Sequence, residues 1–77
     1  MKVTVLFFGV LAEVAGTDCR VYADAHTTDD LMHRVIDDFP EIYGYNYRIS
    51  VNGIISGSSG PLADADEVAL VPPFEGG

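Results

Sequence analysis

Glu67-Val68-Ala69-Leu70-Val71-Pro72-Pro73-Phe74-Glu75-Gly76-Gly77 closes the chain, and it contains two physically different parts. Glu67 to Val71 reads as a strand, rich in β-branched and aliphatic residues. Pro72 and Pro73 then hold the backbone extended, because each ring fixes its own φ. Gly76 and Gly77 carry no Cβ, so they can pass through a channel too narrow for other residues. From Pro73 onward the chain can project roughly 16 to 18 Å, at about 3.3 to 3.6 Å per extended residue. A Gly-Gly pair alone is more often a frayed end. A strand that runs straight into it gives the pair its weight.

Outward from this stretch, Asp64-Ala65-Asp66 forms the turn that precedes the last strand. Further back, Asn52-Gly53 lies between Arg48 to Val51 and Ile54 to Ile55, and this dipeptide suits a two-residue type I′ hairpin turn. Leu31, Met32, Val35, Ile36 and Phe39 recur at three- and four-residue spacing and predict one helix with an apolar stripe. Thr27, or Thr28 next to it, is placed to cap it, Thr27 having Asp30 three residues on, and Pro40 should stop it at Phe39. Asp37 and Asp38 then fall at the negative end of the helix dipole, where acids are unfavourable. Nothing local in the sequence accounts for them.

At the other end, Val3, Val5 and Phe7 alternate with Thr4, Leu6 and Phe8, which predicts a strand in the interior of a sheet. Gly9 to Thr17 holds a short helical turn with Gly16 as its C-terminal cap. Cys19 to Ala23 makes a second strand, hairpin-like beside the first. The order is hairpin, helix, hairpin, last strand. It predicts an α+β fold, a mixed sheet with one main helix packed on one face, in the β-grasp (ubiquitin-like) arrangement with the last strand beside the first. Residues 1–72 are expected to form this domain and residues 73–77 a flexible tail.

The chain has 77 residues, room for one small domain, and 48% of them are hydrophobic, as a folded core requires. Cys19 is the one cysteine, so no internal disulfide can form; with no signal peptide and no long apolar run, a cytoplasmic setting is expected. Twelve acidic against four basic residues give a formal charge of −8. That charge repels nucleic acid phosphates and anionic membranes, and favours docking to a basic partner surface.

The chemistry points to the terminus. Gly77 would end in a carboxylate at neutral pH, a poor electrophile that must be activated before a nucleophile can attack it. No phosphate-binding loop is present, and Gly57-Ser58-Ser59-Gly60 lacks the Lys and the strand-to-helix setting of one. Any ATP must therefore be bound by another protein, and no cofactor is expected on this chain. Cys19 has no activating His or Asp spacing and is expected to be a small structural thiol. His26 and His33 fit no metal-ligand spacing and are expected at the surface. Asp64, Asp66 and Glu67 lack the remaining positions of a calcium loop and read as a solvated turn. The roles of Tyr43, Tyr45 and Tyr47 stay open.

A docking face follows from strand parity. With Val3, Val5 and Phe7 directed at the helix, Leu6 and Phe8 point outward, joined by Ala69 and Val71 from the last strand. An exposed apolar patch of this kind marks an interface, unless the Gly9 to Thr17 segment covers it. Pro72, Pro73, Phe74 and Glu75 extend this candidate surface toward Gly76 and Gly77.

With those residues in view, Leu6-Phe7-Phe8-Gly9-Val10-Leu11-Ala12-Glu13-Val14-Ala15-Gly16-Thr17-Asp18 and the block from Leu62 to Gly77 resemble the MoaD/ThiS sulfur-carrier family, most of all its MoaD branch, the small subunits of molybdopterin synthase. Asp66-Glu67-Val68-Ala69 followed by Pro72-Pro73 and Gly76-Gly77 is the specific part. The chain departs from the pattern at Ala12, where members often carry Arg, at Ala65, a common turn Gly, and at Phe74-Glu75, often a Val-Ser or Val-Thr pair. The resemblance implies that an E1-like enzyme adenylates Gly77 at the expense of ATP. A sulfur donor, such as a persulfide protein, then displaces AMP to leave a thiocarboxylate. It further implies delivery of that sulfur to a pterin precursor on the large subunit of molybdopterin synthase, with this chain as a co-substrate and no catalyst by itself. The same fold and tail would serve a carrier for thiamine thiazole or tRNA thiolation, or a ubiquitin-like modifier conjugated to lysines through Gly77. They would also suit an interaction domain with an inert tail.

Overall fold

The computed structural model describes residues 1–56 and 59–73. Its elements are β1 (Lys2–Phe7), α1 (Val10–Ala15), β2 (Cys19–Ala23), α2 (Thr28–Asp38), a 3-10 turn over Pro40–Gly44, β3 (Arg48–Val51), β4 (Ile54–Ser56) and β5 (Glu67–Val71). The sheet order is β2-β1-β5-β3-β4, with β1 and β5 parallel and the other neighbours antiparallel. Both parts of the predicted architecture are present: one main helix on a mixed sheet, and the last strand seated against the first. β5 occupies the centre, so the strand that leads to the tail is held on both edges.

Strand parity builds the core. Val3, Val5 and Phe7 of β1 and Val68 and Leu70 of β5 are buried on one face, where Leu31, Met32 and Val35 of α2 meet them. Full burial of each such side chain contributes about 1.5–3 kcal/mol before conformational entropy is set against it. Leu11 from α1 and Ile42 from the 3-10 turn, both fully buried, complete this layer.

Local signals end the elements where expected, with small differences. Thr27 Oγ1 accepts from the Asp30 amide at 3.1 Å and caps α2. Gly16 takes the left-handed conformation and its amide donates to Ala12 O, closing α1. Asn52 and Gly53 both have positive φ, as a type I′ turn requires. β1 stops at Phe7 rather than Phe8, and β4 runs one residue further than predicted, to Ser56. α2 ends at Asp38 with Phe39 as its cap, because Pro40 begins a 3-10 turn instead of only breaking the helix.

Of the two acids at the end of α2, Asp38 finds its reason in β2. Tyr22 Oη donates to Asp38 Oδ2 at 2.7 Å, and Arg20 Nη2 lies 3.6 Å from the same oxygen. The Arg20 guanidinium also sits over the Tyr22 and Phe39 rings, at 5.9 and 5.3 Å from their centroids. Partners on the adjacent strand thus offset the helix-dipole penalty on Asp38. Burial, followed by the Asp38 hydrogen bond, pushes the Tyr22 phenol up to about 12.

The turn before β5 is more than solvated acid. Asp66 accepts from the Ala63 amide at 2.9 Å and from Asn52 Nδ2 at 3.0 Å, which holds its carboxyl below the usual range. Asp64 Oδ1 accepts from the Lys2 amide at 2.7 Å. These bonds tie the start of β5 to β1 and to the Asn52 hairpin, and so fix the position from which the tail departs.

Candidate functional site

On the sheet face opposite α2, β1 and β5 set their outward residues side by side. Leu6 is the register partner of Ala69, and the ladder continues with Phe8 N donating to Leu70 O at 3.1 Å, which brings Phe8 alongside Val71. Leu6, Ala69 and Val71 are half-buried and Phe8 is 46% exposed. The Gly9 to Thr17 segment does not cover them, because α1 turns to the other face and buries Leu11 in the core.

Strand register enlarges this face beyond the residues the sequence pointed to. Cys19 pairs with Leu6 and Val21 with Thr4, which turns both outward; Val21 is 56% exposed. Ile55 joins from β4, opposite Ser50, and is also exposed. Alternation within Arg20-Val21-Tyr22 was the signal for Val21, once Tyr22 was known to face inward. Cys19 is therefore not the packed thiol expected: it is exposed, because its strand parity places it on the uncovered face. His26 and His33 are at the surface as expected.

The four cations divide between the two sides of the sheet. Arg20 lies against Asp38, and Arg34 donates to Ala23 O at 2.6 Å with its guanidinium over the Tyr22 ring. Lys2 and Arg48 have outward parity, and Arg48 is paired in register with Val71. A cation thus borders the apolar strip where β5 ends.

At the root of the tail the Pro72 ring closely approaches the backbone of Gly9. Gly9, with φ 60° and ψ −136°, lies under Pro72, and a Cβ built on it would be 3.0 Å from Pro72 Cγ. Pro72 is half-buried by this contact and Pro73 is exposed. The importance of Gly9 was missed in the sequence, where a Gly after a strand signals only a turn or a close approach. Phe74, Glu75, Gly76 and Gly77 lie outside the described residues, as do Gly57 and Ser58 of the Gly57 to Gly60 loop. Among the described residues no group of three or more His, Cys, Asp or Glu side chains is arranged to hold a metal ion. No helix among them is long and apolar enough to cross a membrane.

An uncovered apolar strip on two parallel strands thus runs into the two prolines that follow β5.

Comparison with known proteins agrees with this architecture. The sulfur carrier subunit of molybdopterin synthase from Chlamydomonas reinhardtii is 29% identical over 83 residues, covering all of both chains. SAMP1 from Haloferax volcanii superposes with a TM-score of 0.84 at 24% identity, again over all of both chains. A protein-protein complex of subunits 1 and 2 of the molybdopterin-converting factor from Helicobacter pylori 26695 contains a chain with a TM-score of 0.77 and 26% identity, complete in both directions. The sequence model of the ThiS family matches residues 5–77. With nearly its whole length matched, and with the strand order and tail root described above, the chain belongs to the ThiS family.

Proposed function

We propose that this chain is a sulfur carrier, the small subunit of a molybdopterin synthase, with residues 73–77 as the flexible tail and Gly77 as the reacting group. The observation that carries the reading is the outward strip of Leu6, Phe8, Ala69 and Val71, which runs directly into Pro72 and Pro73. A partner seated on that strip has the terminus aimed in a set direction. The likeness to the H. pylori subunit supports the large subunit of molybdopterin synthase as that partner.

In this reading an E1-like enzyme binds ATP, and an oxygen of the Gly77 carboxylate attacks the α-phosphate and releases pyrophosphate. The resulting mixed anhydride has AMP as a good leaving group. A persulfide sulfur from a donor protein attacks the carbonyl and AMP departs. A thiol then attacks the donor-side sulfur of the acyl disulfide, forms a disulfide with the donor and releases the thiocarboxylate on Gly77. The chain contributes positioning: sulfur bound to a docked tail has a high effective concentration at the pterin precursor. It binds no cofactor itself, and the ATP is consumed on the activating partner. The sequence features expected of a reducing, cytoplasmic protein suit this chemistry, because a thiocarboxylate is oxidised readily.

Intact mass spectrometry tests the reading, after incubation with the activating enzyme, ATP and a sulfur source, beside a variant lacking Gly76 and Gly77. A mass gain equal to sulfur replacing oxygen, absent from the truncated variant, is the expected result. Recovery of Gly77 only as a branched peptide on lysines of other proteins would overturn it in favour of a modifier. Unchanged mass with no conjugates would leave the tail inert.

A further inference from the structure

On the helical side of the molecule, α1 and the 3-10 turn enclose an open groove of about 550 Å³. Glu13 and Val14 of α1 and Pro40, Glu41, Tyr43 and Tyr45 of the turn region line it, two carboxylate residues beside two aromatic ones. No Lys or Arg lines it, and neither glutamate has an ion-pair partner among the described residues. We propose that this groove is a docking site for an arginine side chain presented by a protein partner.

The backbone that carries the two rings is anchored. Tyr43 is 81% exposed and Tyr45 40%, a cost in exposed aromatic surface that packing within the chain does not offset. They are not on a loose loop. Ile42, between Tyr43 and Glu41, is fully buried; its amide donates to Phe39 O and its carbonyl accepts from the Tyr45 amide, both at 3.0 Å. The turn therefore presents its outward side chains from an anchored backbone, which lowers the entropy lost on binding.

The residues that line the groove suit a cation. A negatively charged ligand is repelled by both carboxylates and by the −8 chain. A purely apolar ligand would bury those carboxylates without partners. A cation satisfies them, and the aromatic walls choose among cations. Guanidinium is planar and weakly hydrated, stacks on tyrosine and donates in a fork to carboxylates, whereas an ammonium is compact and strongly hydrated. The groove is open and shallow enough to take a side chain projecting from a protein surface.

Glu13 lies about one helical turn, roughly 5.4 Å along the axis, from Gly9, which packs on Pro72. One wall of the groove is thus close to the root of the tail. A protein that receives the tail can reach both. The proposal stands whatever chemistry Gly77 undergoes.

The test is an NMR titration of the full ¹⁵N-labelled chain with a blocked Gly-Arg-Gly peptide, beside its lysine and citrulline counterparts. Saturable shifts confined to the amides of Glu13, Val14 and residues 41–45 are expected. The arginine peptide should bind severalfold more tightly than the lysine peptide, and the neutral citrulline peptide should not bind. Joint Glu13→Gln and Glu41→Gln substitution should weaken arginine binding about tenfold, the loss expected for charge-assisted hydrogen bonds. Tyr43→Ala should remove the preference for arginine over lysine. The same spectra report whether each variant is folded. Shifts spread over Asp29, Asp30 and Asp64 as well, equal response to the two cationic peptides, or no shift at all would overturn the proposal.

Discussion

Gly9 and Pro72 are in contact across the end of the β1–β5 ladder, with only 3.0 Å between the position of a Cβ on Gly9 and Pro72 Cγ. The backbone of Gly9, at φ 60° and ψ −136°, is also one that L residues avoid. Gly9→Ala therefore carries both strain and a clash at the tail root, and is expected to cost on the order of 2–3 kcal/mol. Urea unfolding would measure it. A loss within about 0.5 kcal/mol, the range of ordinary surface changes, would show that the Gly9 backbone and Pro72 both yield freely and that the root is not fixed here.

Phe8→Asp should leave the fold intact while removing partner affinity. Phe8 points away from α2 and is 46% exposed, so stability should change by no more than about 0.5 kcal/mol. On the docked face the same change puts a charge into the centre of an apolar contact, where losses of about 2 kcal/mol, roughly thirtyfold in Kd, are ordinary. Calorimetric titration against a molybdopterin synthase large subunit would read it. Affinity equal to that of the unaltered chain would exclude Phe8 from the interface.

What the sequence disclosed depended on how far apart the cause and the effect lie. Asn52-Gly53, the Thr27 cap and the Gly16 cap act on their immediate neighbours, and each is found where its chemistry required. The outward strip was legible because Val3, Val5 and Phe7 set the parity of β1, and parity alone sends Leu6 and Phe8 outward. Ile42 was not: it is a single apolar residue between Glu41 and Tyr43, with no period to reveal that it is fully buried. Asp38 looked misplaced because its compensation comes from Tyr22 and Arg20 on another strand. Gly9 could be recognised as indispensable only once Pro72 lay against it.

Ala65 invites a stabilising change. Its φ of 71° lies in the left-handed region, which costs an L residue roughly 1–2 kcal/mol, and its amide is committed there by a 2.7 Å bond to Lys2 O. Ala65→Gly relieves that strain but makes the unfolded chain more flexible by about 0.4–1 kcal/mol. A net gain of about 0.5–1 kcal/mol is expected by the difference. A lower melting temperature for the glycine variant would mean that the turn is relaxed around alanine.

Tyr22 gives the stability of this fold a dependence on alkaline pH. Its phenol is raised from 10.0 to about 12 in the folded chain, first by burial and then by the hydrogen bond and charge of Asp38. A raised folded value means that the stability it contributes is complete below about pH 10 and is lost as pH rises toward about 12. Tyr22→Phe removes that titration, at a cost near neutrality of about 1 kcal/mol for the lost bond to Asp38. Urea unfolding of both proteins at about pH 8 and about pH 11 should therefore show the gap between them narrowing at the higher pH. Tyr47, raised by its own burial and by Tyr43, contributes with the same sign to both proteins and cancels in the comparison. A gap that stays constant between the two pH values would mean that the Tyr22 to Asp38 bond does not perturb the phenol, and with it would fall the account of why α2 ends in an acid.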